Sequence, residues 1–145
     1  MRHALAAQED PLKSLIVSSA GVSTFDSQPA ARNAVTALSK VGIDISNHRS
    51  QPLTQDLLDR ALVFFAMTDT HLAMLSFQSD SPNLQAYLMR QFLDDDATDQ
   101  IPDPFGMSLP HYEACRDSMV EAIPSLLKVV ERLYQEQTPD AAIEG

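Results

Sequence analysis

The sequence predicts an α/β domain in which helices cover both faces of a mostly parallel sheet, a three-layer α/β/α arrangement. Two short apolar runs near positions 17 and 65, helical periodicity between and after them, and turn residues at their boundaries carry that expectation. Strands covered on both faces read as unbroken apolar stretches, and Leu62–Met67 is such a stretch. With 145 residues of which 44% are hydrophobic, the chain can build one packed core. We expect a single domain over 1–136 and a flexible tail over 137–145.

In chain order, Lys13–Gly21 is a β-branched run ending in small residues, the pattern of a buried strand and a tight turn. Asp26-Ser27-Gln28-Pro29 offers a cap with Pro in the first turn, and Ala31, Ala34, Val35, Leu38 and Val41 share one helical face before Gly42. Gly42–Ser46 alternates apolar and polar residues, Asn47–Pro52 is a polar connection, and Thr54 caps a short helix through Arg60. After the Leu62–Met67 strand, Thr68-Asp69-Thr70 starts a helix bearing His71, Leu72, Met74 and Leu75. A polar loop follows over 78–84, whereas 85–93 fits a strand or a helix equally. Asp94–Pro104 is an acidic loop. Tyr112, Cys115, Met119, Ile123, Leu126, Val130 and Leu133 then mark a long terminal helix, kinked or restarted at Pro124.

Composition excludes several chemistries. One cysteine cannot form a disulfide within the chain, a Cys-based zinc site, a CxxC pair or an iron–sulfur cluster. The glycines, at 21, 42, 106 and 145, are too scattered for a Gly-rich nucleotide loop. His3, His48, His71 and His111 lack metal-pair spacing, and the acidic cluster Asp94–Asp99 lacks the spaced ligands and turn glycine of a calcium loop. We expect no metal and no cofactor. Residues 1–50 carry +1 and residues 51–145 carry −11, a balance that repels nucleic acid phosphates and anionic membranes. No stretch approaches the apolar length of a membrane span, so a cytoplasmic protein is expected. Cys115 falls on the apolar face of the terminal helix, where a thiol is inert.

Asp103 stands between Pro102 and Pro104 and is followed by Phe105. Such a carboxyl has a restricted approach direction and can protonate a leaving group, or it can cap a turn ahead of the last helix. Spacing alone leaves both roles open.

Taken together, Val17–Gly21, the stretch from Pro29 through Leu38 to Gly42–Ser50, Asp59–Thr68, and Asp103–Gly106 before a terminal helix resemble the low-molecular-weight protein phosphatase family. The resemblance spans nearly the whole chain. Met67-Thr68, the nearby His71 and Asp103-Pro104-Phe105-Gly106 look most like the bacterial branch that includes protein-arginine phosphatases. It implies cysteine-dependent hydrolysis of a phosphate monoester or phosphoramidate, in a protein tyrosine or arginine phosphatase acting on a phosphorylated protein or a small phosphoester. In the family a Cys-(five residues)-Arg loop holds the phosphoryl group, its thiolate attacks phosphorus, and an Asp protonates the leaving group. By this resemblance Asp103 is the general acid, Phe105 an aromatic wall of the substrate cleft, and Ser19 and His48 polar supports of the phosphate loop.

The 145 residues contain no Cys-(five residues)-Arg: Cys115 is followed directly by Arg116, and Glu121 stands six positions on. Met1–Ala7 resembles the second half of the helix that follows the loop. In the family the first strand runs between those ending here at Ser19 and Met67, so the expected fold is the phosphatase fold with its central first strand missing. Each buried backbone group thereby left without a partner costs about 1–3 kcal/mol, against a total stability of roughly 5–15 kcal/mol. The expectation is a shortened form of a longer phosphatase, without turnover as it stands. The alternative is a non-catalytic binding or regulatory relative that pairs its exposed sheet with another chain, a second copy included.

Overall fold

The computed structural model describes residues 1–22, 24–93 and 99–137. Among them the elements run α1 (Arg2–Ala6), a 3-10 turn (Leu12–Ser14), α2 (Arg32–Ser39), α3 (Gln55–Arg60), β1 (Phe64–Ala66), α4 (Asp69–Gln78), β2 (Ala86–Leu88) and α5 (Leu109–Gln137). β1 and β2 form a parallel pair in the register Phe64–Ala86, Phe65–Tyr87 and Ala66–Leu88. The architecture is α/β, a small parallel sheet with helices packed around it. No described helix is long and apolar enough to cross a membrane.

Local chemistry sets the boundaries. Thr54 and Thr68 each accept a hydrogen bond on the side-chain oxygen, from the N–H of Leu57 and His71, and so start α3 and α4 where the sequence places them. Gly42 ends the turn after α2 with φ +79°, a conformation that favours glycine. The ambiguous 85–93 stretch resolves as β2, followed by a turn whose Arg90 is buried and donates to Ser118 O at 2.9 Å.

Three local expectations are corrected. Residues 13–21 form no strand: Lys13 and Ser14 belong to the 3-10 turn, and Leu15–Ala20 runs without a ladder partner among the described residues. Leu15 and Val17 pack against a cluster of Leu5, Leu12 and Val130, but Ile16 is 92% exposed. A β-branched run becomes a strand only when its N–H and C=O groups meet a second strand. Second, Asp26 and Pro29 do not start α2. Pro29 makes an antiparallel bridge with Arg49, and the helix begins at Arg32. Third, α5 is not restarted at Pro124 but continues through it. The proline removes the N–H that Val120 O would accept, and because Val120 is 52% exposed that carbonyl can turn to water.

The core lies along α5, where Ala122, Leu126, Val129, Val130 and Leu133 are buried. α2 packs beside its N-terminal half: Arg116 Nη1 donates to Ala37 O at 2.7 Å, and Lys40 pairs with Glu113 at 3.1 Å. Cations are favoured where α2 leaves its last carbonyls unpaired.

Candidate active site

Asp103 sits on a loop that the fold delivers to the carboxyl end of β1. The N–H of Ile101 donates to Met67 O at 2.8 Å, and Gln100 accepts the N–H of Asp69 at 3.0 Å. The edge beyond the strands' carboxyl ends is where ligands bind in open α/β sheets. Beyond Ile101 the loop makes two nested turns. Asp103 Oδ1 accepts the N–H of Phe105 at 3.0 Å, and Pro104 O accepts that of Met107 at 2.9 Å. Gly106, at the third position of the second turn, has φ +78°, the value a type II turn requires. Asp103 is therefore a turn-capping residue, and its side chain is exposed. Phe105 is 80% exposed beside it.

Ser19 lies on the extended segment before Gly21, its carbonyl accepting from Gln51 Nε2 at 2.9 Å. Gly21 joins the same connection through Gly21 N to Gln51 O at 2.9 Å and Leu53 N to Gly21 O at 3.0 Å. His48 is exposed in the turn ahead of it; its N–H donates to Ile45 O, and its carbonyl accepts from Arg49 Nη1 at 2.8 Å. Ser50 ties that connection to the turn before α2, donating to Phe25 O at 2.6 Å and accepting from Gln28 N at 2.9 Å. Among the described residues no hydrogen bond joins Ser19 or His48 to Asp103 or Phe105. The two groups are related through α2, whose Asn33 donates to Met107 O at 3.2 Å.

Cys115 is half-buried on α5, and burial followed by the negative charge of Asp103 pushes its thiol pKa up. A cysteine nucleophile needs the opposite shift. Neighbouring Arg116 is engaged by Ala37 O and by Asp117 at 2.9 Å. Among the described residues no group of His, Cys, Asp or Glu is placed to hold a metal ion. Of the acidic cluster only Asp99 is described; Asp94–Thr98 lie outside the described residues.

Asn33, Ser50 and Gln51 did not stand out in the sequence, because their partners are 22 to 74 positions away. The one local signal was Gly106, whose place after Pro104-Phe105 announces a turn.

The assembled loops and sheet match known proteins. A protein-arginine-phosphatase of Bacillus subtilis is 31% identical over 116 residues, covering 80% of this chain and 76% of that protein. The structure of an arginine phosphatase from Geobacillus stearothermophilus superposes with a TM-score of 0.68 at 30% identity, over 84% of this chain and 76% of that one. A cysteine-to-serine mutant of an arginine phosphatase, solved with a phosphorylated active-site serine, gives 0.70 at 29% identity over 79% and 76%. Residues 2–137 match the profile of low molecular weight phosphotyrosine protein phosphatases, and the chain belongs to that family.

Proposed function

We propose that this chain is the acid-bearing part of a cysteine-dependent protein-arginine or protein-tyrosine phosphatase, with Asp103 as general acid. In that role the Asp103 carboxyl gives its proton to the departing nitrogen or oxygen as the bond to phosphorus breaks. Phe105 flanks the leaving group, and Ser19 and His48 brace the phosphate loop. The arginine reading draws on the printed activity of the Bacillus subtilis relative. The covalent step draws on the phosphorylated serine that replaces an active-site cysteine in a solved neighbour. The observation that carries the proposal is the hydrogen bond from Ile101 to Met67, which sets the Asp103 turn at the carboxyl end of β1.

The 145 residues lack Cys-(five residues)-Arg, and Cys115 has a raised pKa within a helix, so this chain alone is proposed to be without turnover. The test is to add an N-terminal strand and Cys-(five residues)-Arg loop and to assay p-nitrophenyl phosphate and a phosphoarginine peptide. Activity should appear with the addition, and Asp103→Asn should lower kcat by about 10²–10⁴-fold. Unchanged kcat in Asp103→Asn would rule out the acid assignment.

A second reading is favoured by the backbone of Leu15–Ala20. Among the described residues its only acceptor contacts are Val17 O with Arg2 Nε at 3.0 Å and Ser19 O with Gln51. Phe65, in the middle of β1, directs its N–H and C=O away from β2, since alternate residues of a parallel strand bond to opposite neighbours. Two such edges could pair with another chain, making the protein a non-catalytic binding partner. Light scattering across a concentration series separates the readings: a strictly monomeric chain argues against self-pairing.

A further inference from the structure

The loop carrying Asp103 has little packing to hold it. Phe105 is 80% exposed, Met107 is 51% exposed, and Asp103 and Gly106 are exposed as well. A segment with few buried apolar contacts opens at low cost, so its geometry depends on its hydrogen bonds. On the upstream side the backbone bond from Ile101 to Met67 ties it to β1. On the downstream side the tie is a side chain: Asn33 Nδ2, in the first turn of α2, donates to Met107 O at 3.2 Å across 74 positions. Among the described residues it is the only side chain of another element that hydrogen-bonds to the 103–107 loop.

Resting on the reading of Asp103 as general acid, we propose that Asn33 is the positioning residue for that acid, fixing the Asp103–Met107 turn against α2. The requirement comes from the chemistry. A proton donor must lie within about 3 Å of the atom it protonates, and a displacement of about 1 Å can cost on the order of 100-fold in rate. A carboxylate on an exposed loop meets that tolerance only if both ends of the loop are fixed. α2 suits the purpose because it is itself tied to α5, by Arg116 to Ala37 O and by Lys40 to Glu113. Its preceding residues also bridge to Arg49, next to His48. Asn33 thus links the acid loop to the connection that bears His48, another proposed site residue.

The test reads loop order directly and needs no turnover, so it fails or succeeds independently of the kinetics of Asp103→Asn. Water exchange of backbone amides is measured by NMR in the full chain and in Asn33→Leu, which keeps the shape but has no donor. The Phe105 and Met107 amides, whose bonds define the two turns, should exchange about 5-fold faster, while the α5 amides of Leu126 and Val130 stay unchanged. The pH-dependent shift of the Phe105 amide, which follows the Asp103 carboxylate it is bonded to, should shrink in the variant. A purely structural contribution to folding would not alter that titration. Asn33→Asp repeats the test with the size kept and the donor replaced by an acceptor. Unchanged exchange and titration at Phe105 and Met107 in both variants would overturn the proposal. So would equal acceleration in the loop and the α5 core, or failure of both variants to fold.

Discussion

Gly106→Ala probes the acid loop through its backbone alone. Gly106 has φ +78°, and a Cβ there would meet no atom within 4 Å, so the penalty is conformational and not steric crowding. Holding an L-residue in that region costs about 1–2 kcal/mol. Alanine has less freedom to lose when the chain folds, which returns about 0.4–1 kcal/mol. The net is a destabilisation of about 1 kcal/mol, or about 3–4 °C in Tm for a domain of this size. Gly42, with φ +79° and equally open surroundings, is the internal control at a site far from Asp103 in sequence. Both variants should lose the same stability by thermal and urea unfolding, but only Gly106→Ala should loosen the Phe105 amide. Asn tolerates positive φ better than Ala, so Gly106→Asn should recover part of the loss. The reasoning fails if Gly106→Ala melts at or above the temperature of the parent, or if Gly106→Asn is no better than Ala.

Other perturbations have equally specific outcomes. Leu126, 1% exposed, is the largest fully buried side chain among the described residues, and Leu126→Ala should cost about 3–4 kcal/mol in urea unfolding. Thr68→Ala removes the oxygen that accepts from His71 N at the start of α4 and should cost about 1 kcal/mol by the same measurement. Because burial and then the Asp103 charge raise the Cys115 pKa, iodoacetamide should label Cys115 more slowly at pH 8 than it labels the unfolded chain. Asp103→Asn should speed that labelling. The folded thiol holds its proton more tightly than the unfolded one, so its contribution to stability is complete below the ordinary pKa of 9.0. That contribution fades as pH rises through the folded value, and urea midpoints from pH 7 upward should show the decline missing in Cys115→Ser.

What the sequence revealed depended on how local each signal was. Thr54, Thr68 and Gly42 act on backbone groups within a few residues, and each appears where the sequence placed it. The terminal helix was legible from its apolar spacing, and the uninterrupted passage through Pro124 was not, because it depends on the exposure of Val120. Lys13–Gly21 has the composition of a strand, but strand formation requires a partner that no local pattern can supply. The delayed start of α2 follows from the bridge between Pro29 and Arg49, twenty positions apart. At the candidate site Asp103 was readable as a Pro-flanked carboxyl able to cap a turn. Asn33 was not, since nothing near it in sequence announces a carbonyl 74 positions along the chain.

Phosphate release by the purified 145-residue chain, measured with a phosphoarginine peptide and with p-nitrophenyl phosphate beside a Cys115→Ser control, bears most directly on the central claim. Rates for chain and control that match buffer alone are the predicted result. Turnover that Cys115→Ser abolishes would show that the chain holds its own nucleophile and would contradict the account.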